Sequence, residues 1–285
     1  MSKHLKPIFF SVFSVIKLFF LLTFLAISKS FGDTKKNDIG KEKYIYIFGG
    51  FPDVRFQGAG LVHPHSESNP ASLELIEKYD INLSFGISDR FKMISARATD
   101  SITSRLSGAI GFKCLTPKFI CSHGSAKIAG LDLSYGFYAK DTKLGVGPFI
   151  RFKWDNEFSD VLGEGDFIAG IGSIALHNFE KFKISVGSII FSSRNIMKEN
   201  VPVGGGVGGS FSSNTDDIFI FGQVVYFSKF YPSAGLIATA LKWFRFSLGY
   251  SSHPIVSGGF VSPRLYFWVG YSFSKIFLSS IGLVF

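Results

Sequence analysis

Long apolar runs are what this chain lacks. Beyond residue 27 no uninterrupted apolar stretch approaches the roughly 20 residues that a membrane-spanning helix requires, although 46 % of the residues are hydrophobic. That excludes a helical membrane domain. Cysteine is nearly missing: Cys114 and Cys121 are the only two. Even with His123 nearby they fall short of the four ligands of a structural zinc site. Seven positions apart across Thr116-Pro117, they are placed to close a small loop by a disulfide in an oxidising compartment. Charge is also scarce, at 18 %. Thirty bases against 21 acids leave +9, and four of those lysines (Lys3, Lys6, Lys17 and Lys29) lie within the first 32 residues, so the remainder carries +5. Such a small excess, without a basic stripe interleaved with aromatic platforms, argues against a nucleic-acid partner.

Phenylalanine and glycine are abundant instead, 34 and 31 residues respectively. The apolar residues fall into short alternating segments, which is the pattern of a transmembrane β-barrel. A closed barrel is the only alternative to a helix that satisfies every backbone polar group within lipid. A soluble β-sandwich is the competing architecture. The first residues set the compartment. Lys3, Lys6 and Lys17 precede the apolar run 18–27, and Ser30-Phe31-Gly32 offers small residues at both positions needed for cleavage. This predicts a secretory signal over 1–32, with the mature chain starting at Asp33.

Residues 33–43 are polar and read as a periplasmic entry, with the barrel expected over 44–285. A short strand is expected at 44–48, and 52–72 reads as mostly loop. The clearest strand is 78–88, where Tyr79, Ile81, Leu83, Phe85 and Ile87 oppose Lys78, Asp80, Asn82, Ser84 and Gly86. Further strands are expected at 91–98, 106–114, 127–139, 143–154, 166–177, 181–192, 217–227, 231–241, 244–250, 264–273 and 275–285. The stretches 193–216, with its glycine run 204–209, and 251–263 read as loops. Single-chain bacterial barrels usually have an even strand number. These are thirteen segments; with 44–48 left outside the closed sheet the expectation is an all-β antiparallel up-and-down barrel of about twelve strands, within a range of 10–14. A further strand at 55–62 would make fourteen.

The last strand places Phe277, Ile281, Leu283 and Phe285 on one face and Leu278, Ser280, Gly282 and Val284 on the other. A terminal aromatic on such a strand resembles the closing strand of bacterial outer-membrane β-barrels. The resemblance is to the class and to no particular family. It implies an outer-membrane location in a Gram-negative-type bacterium, lipid as surroundings, and Phe285 as the signal read by the barrel assembly machinery.

Candidate functional residues follow from the inward faces. Lys78, Lys143, Arg151, Lys153, Lys183, Arg245 and Arg264 oppose only Asp80 and Asp132 there. Such a bore favours anions, since rings of Arg or Lys select them. The alternative is that these bases pair with loop acids such as Asp155, Glu157 and Asp160 and plug the bore. The segment His63, His65, Ser66, Ser68, Asn69 loosely resembles the His-x-Ser-Asn segment of outer-membrane phospholipases and lipid A deacylases, where His activates Ser. The spacing differs here, and Pro64 and Pro70 favour a polar loop. The glycine run lacks the Lys-Ser/Thr of a phosphate loop. No enzyme, metal or cofactor is implied. The expected function is a porin-like passive channel for small solutes with mild anion preference. The alternative is a non-conducting surface barrel acting through its outer loops.

Overall fold

The computed structural model describes residues 69–75, 79–87, 92–102, 106–116, 121, 125–154, 167–194, 203–227, 229–241, 243–251, 253–273 and 276–285. The expected leader, the polar entry and the strand at 44–48 lie outside the described residues, as does Lys78.

Alternation dictates the elements. The described residues form fourteen strands: β1 (Tyr79–Ile87), β2 (Lys92–Asp100), β3 (Leu106–Thr116), β4 (Ala126–Ala139), β5 (Thr142–Trp154), β6 (Phe167–Asn178), β7 (Phe182–Arg194), β8 (Val203–Ser213), β9 (Ile218–Phe227), β10 (Lys229–Leu241), β11 (Phe244–Ser251), β12 (His253–Val261), β13 (Leu265–Ser272) and β14 (Ile276–Val284). Each pairs antiparallel with its chain neighbours, and β1 pairs with β14, so the sheet closes. At the seam Ile81 faces Leu283 and Asn82 faces Gly282. The Phe285 amide donates to the Tyr79 carbonyl at 2.9 Å, and the two rings meet edge to face at 5.6 Å. Among the described residues no edge strand is left unpaired, as lipid requires.

The burial pattern is the inverse of a soluble protein's. Along β1 the apolar residues Tyr79, Ile81, Leu83, Phe85 and Ile87 are between 39 and 45 % exposed, while Asp80 and Asn82 are 2 and 5 % exposed. Exposed aliphatic side chains such as Leu83, Ile171, Val186 and Ile281 form a band around the outside. Aromatic contacts flank that band at both ends. Phe179, Phe182, Phe211, Trp243 and Phe260 lie toward one end, and Phe112, Trp154, Tyr226, Phe230 and Phe273 toward the other. Apolar belts between two aromatic girdles are the signature of a membrane-spanning barrel. The substitution Ile281→Arg, aimed at the belt, is expected to cost about 2–4 kcal/mol in denaturant unfolding from lipid vesicles. The inward Ser280 tests the other face, and Ser280→Ala should cost much less.

Connections at the end carrying Phe285 are short, as at 140–141, 179–181 and 262–264, whereas those at 117–125, 155–166 and 195–202 at the opposite end are longer. Short turns face the periplasm and longer loops the exterior in such barrels. Left-handed backbone at Lys140 (φ 50°) and Asp216 (φ 54°) closes two of the short turns.

The strand number corrects the expectation of about twelve. Two stretches read as loops, 193–216 and 251–263, hold β8 and β12. Neither extra strand is the 55–62 stretch, which lies outside the described residues. In β8 glycines replace the alternating large residues because the neighbouring strands fill that space. A Cβ on Gly204 would lie 2.3 Å from the Phe191 ring, and one on Gly206 would lie 2.7 Å from Val225. In β12, Pro254 and the pair Gly258-Gly259 mimic turn chemistry. Gly259 has no room for a side chain, since its Cβ would sit 2.2 Å from the Phe267 carbonyl oxygen.

The lumen as candidate functional site

The inner face is neither bare nor uniformly polar. Among the described residues, three features occupy it. The first is the segment Asn69 to Leu75, whose residues Pro70–Leu75 form a 3-10 turn. All of these residues are buried, and they lie against β3 to β6. Pro70 suits the start of a helical turn, where an N–H would have no partner. Serine at 72 then closes the turn, its amide and hydroxyl both donating to the Asn69 carbonyl, at 2.9 and 2.7 Å.

Glycines on the wall make the room for this segment. A Cβ on Gly145 would lie 2.1 Å from the Ala71 carbonyl oxygen, on Gly172 2.0 Å from Asn69 Oδ1, and on Gly136 2.1 Å from Glu74 Cγ. Side-chain hydrogen bonds hold it in place. Asn69 Nδ2 donates to the carbonyls of Ser173 (3.1 Å) and Ser188 (3.3 Å), which face each other across β6 and β7. Ser134 donates to the Ala71 carbonyl at 3.1 Å. Glu74, 5 % exposed, accepts from Ser107 Oγ and from the Tyr138 hydroxyl at 2.8 Å. Ala71 and Leu75 pack with Ile174 and Leu176 of β6. A buried carboxylate is tolerated only where hydrogen bonds replace its water, and Glu74 has two such donors.

The second feature is an apolar cluster of Phe219, Phe221, Ile237, Ile255, Tyr266 and Trp268 on β9, β10, β12 and β13. Large inward residues again face glycines. Tyr266 overlies Gly282, Phe221 overlies Gly235 and Trp268 overlies Gly259. Polar groups border this cluster at the barrel seam. Asn82 Nδ2 donates to Tyr266 Oη (2.9 Å) and Ser280 Oγ (2.7 Å), while the Tyr266 hydroxyl donates to Asp80 (3.1 Å).

The third feature is a charged cluster. Arg97 Nη2 lies 3.1 Å from Asp132 Oδ2, and Arg151 Nη1 lies 2.5 Å from Asp132 Oδ1. The N–H groups on that Arg151 nitrogen are directed at the carbonyls of Leu131 (3.2 Å) and Ile150 (3.0 Å). Its contact with Oδ1 is therefore an ion pair more than an aligned hydrogen bond.

The residues singled out in the sequence are scattered over these features. Asp132, Arg151 and Lys153 share one region of the inner wall, all at least partly buried. Asp80 lies at the seam. Lys143 sits over the Tyr138 ring at 5.3 Å. Lys183 pairs with Asp216 at 2.9 Å near the short-turn end, away from the Asp132 cluster. Arg245 is half-buried opposite Gly259. Arg264 departs from its expected strand position: β13 begins at Leu265, and Arg264 is exposed in the turn before it. Cys114 and Cys121 form a disulfide with Cα atoms 6.2 Å apart. His63, His65, Ser66 and Ser68 lie outside the described residues. Asn69 faces the lumen, away from the lipid boundary that the hydrolase reading requires.

Arg97, Glu74 and the Asn69–Leu75 segment were not anticipated from sequence. In β2 the outward residues Ala96, Ala98 and Asp100 are small or polar, so alternation there is weak. The usable signal for Glu74 was an acid flanked by Leu73 and Leu75.

A closed antiparallel barrel with an apolar belt and two aromatic girdles is an outer-membrane β-barrel of the bacterial type. Solved structures similar to this chain include the KdgM porin, at 9 % identity over 72 % of this chain and 98 % of the other, with a TM-score of 0.42. The Ralstonia pickettii toluene transporter TbuX is similar at 11 % identity over 84 % and 98 %, with a TM-score of 0.49. The Acinetobacter baumannii outer membrane protein Omp33 is similar at 8 % identity over 73 % and 97 %, with a TM-score of 0.46. No protein-family profile and no curated protein matches the chain.

Proposed function

We propose that the barrel is a passage for small solutes across the outer membrane, narrowed by the Asn69–Leu75 segment and mildly selective for anions. The carrying observation is how that segment is held. Its attachments to the wall named above are side-chain hydrogen bonds and side-chain packing. Such contacts contribute about 1 kcal/mol each when made in a folded protein, so a limited set can be exchanged without opening the barrel ladder. Anion preference follows from the inner wall of β2 to β5, where Arg97, Lys113, Arg151 and Lys153 accompany Asp132. Clefts with one sign of charge and low-dielectric walls concentrate the opposite ion.

Single-channel recording tests this on the protein purified from outer membranes and placed in a planar bilayer under a salt gradient. Brief openings with an anion-biased reversal potential are expected. A silent bilayer from folded barrels overturns the passage reading.

One observation favours the second reading, a non-conducting surface barrel. The Arg97–Asp132–Arg151 ion pairs and the cluster around Trp268 both occupy the lumen. On that reading the longer connections at 117–125, 155–166 and 195–202 carry the function as binding loops. Silence in the bilayer would select it.

A further inference from the structure

The register of β2 to β5 builds a cup on the inner wall. Arg97, Gly111, Gly130 and Arg151 are successive cross-strand partners and form one row. The adjacent row is Ser95, Lys113, Ile128 and Lys153. Among the described residues, four bases thus stand on these two rows, and one acid, Asp132, stands beside them on a wall four strands wide.

The two glycines between the arginines form its floor. Arg151 lies across Gly130, its Cδ and Nε occupying space 2.7 and 2.9 Å from where a Cβ would be. Arg97 approaches Gly111 from the other side, with Cγ 3.7 Å from the same construction. Both guanidinium groups therefore bend toward the centre of the row, and they meet at the Asp132 carboxylate. The carbonyls of Leu131 and Ile150 fix the Arg151 head. A small cavity remains between these groups, lined by Ser95, Arg97, Lys113, Gly130, Asp132 and Arg151.

We propose that this cup is an oxyanion-binding site in the bore, taking a carboxylate or a phosphate, with Asp132 as its resident counter-ion. A planar guanidinium presents parallel N–H donors that match the oxygens of such groups. Asp132 already lies between the two guanidinium groups, hydrogen-bonded to Arg97 and ion-paired with Arg151. An incoming anion competes with it for the Arg97 donor and for the positive charge of Arg151, so the site binds weakly enough to release its ligand. That is the requirement for a site along a passage. The inference deepens the passage reading by naming the ligand chemistry, but binding is measurable without flux.

The test is calorimetric titration of the folded, detergent-solubilised barrel with inorganic phosphate and, separately, acetate, in chloride-matched buffer. Folding of every variant is verified by heat-shifted electrophoretic mobility. Asp132→Asn removes the resident competitor and should tighten binding at least tenfold. Arg97→Gln and Arg151→Gln should each weaken it at least tenfold. The charge-preserving pair Arg97→Lys and Arg151→Lys should also weaken it, because an ammonium lacks the fork. Stronger binding of phosphate than of acetate assigns the site to phosphate esters or free phosphate, and the reverse assigns it to carboxylates. Both outcomes support the proposal. Unchanged binding in Asp132→Asn, full affinity in the Gln variants, or equal affinity in the Lys variants overturns it. A barrel that binds phosphate but never conducts keeps the site and loses the passage. One that conducts without binding does the opposite.

Discussion

Replacing Gly145 by valine should drive the Asn69–Leu75 segment off the wall and raise conductance several-fold. The backbone of the segment passes so close that even a Cβ would lie 2.1 Å from the Ala71 carbonyl oxygen and 3.2 Å from Ile174 Cγ2. Neither a carbonyl oxygen in a 3-10 turn nor a strand can retreat that far without losing its contacts. What holds the segment is comparatively modest. Burial of Leu75 contributes about 1.5–3 kcal/mol, and each hydrogen bond of Asn69, Ser134 and Glu74 adds about 1 kcal/mol. The steric penalty exceeds any one of these terms, while the barrel ladder stays intact.

Two readouts separate displacement from collapse. Protease cleavage within 69–75 should appear in Gly145→Val and be absent from the parent, and heat-shifted mobility should be retained. Gly108→Ala serves as the control, because a Cβ there meets its nearest atoms at 3.6 and 3.7 Å. It should be neutral. Unchanged conductance together with unchanged protection in Gly145→Val would show that the segment is not the obstruction.

Truncating Trp268 should have the largest effect on stability. Its side chain is fully buried between Phe219, Phe221, Ile237, Ile255 and Tyr266, on the inside of a membrane barrel. Removing a large aromatic from a packed interior costs about 3–5 kcal/mol, because the neighbours close the cavity only in part. Trp268→Ala is therefore expected to lower the unfolding free energy by that amount in urea titration from lipid vesicles. If this half of the lumen were lined by water, the same change would cost little, since no packed contacts would be lost. The experiment thus measures whether the β9 to β13 wall is a core or a channel lining. A rise in conductance accompanying the loss of stability would place the cluster on the permeation route.

The two variants probe opposite walls of the bore, and glycine is central to both. Gly136, Gly145 and Gly172 admit a segment of the chain itself, whereas Gly235, Gly259 and Gly282 admit the rings of Phe221, Trp268 and Tyr266. Small residues facing large ones are how a small barrel fills its interior. They also explain what was illegible in sequence. Twelve of the fourteen strands formed by the described residues were legible, and in the clearest, such as β1, β5 and β14, the signal is period-two alternation of large apolar residues, because lipid demands an apolar face there. In β8 the inward positions are Gly204, Gly206 and Gly208, and the large residues that fill their space come from β7 and β9. A strand whose partners carry its bulk has no pattern of its own. In β12, Gly259 gives way to Trp268 in the same manner, and together with Gly258 and Pro254 it reads as turn chemistry.

The charged cluster was half legible. Asp132 and Arg151 stand on cleanly alternating strands, so their common face followed from counting. Arg97 did not, because the lipid side of β2 at positions 96, 98 and 100 carries small or polar residues.

From the sequence alone came the antiparallel barrel, its lipid-facing belt and the inward placement of polar residues along the cleanest strands. All of these are consequences of a strand's two-residue period meeting an apolar solvent. Only the tertiary structure decided the strand number, the convergence of Arg97 and Arg151 on Asp132, and the lodging of Asn69 to Leu75 in the bore. Each of these depends on which residues lie opposite one another across strands far apart in the chain. Register and available space determine that, and local periodicity carries neither.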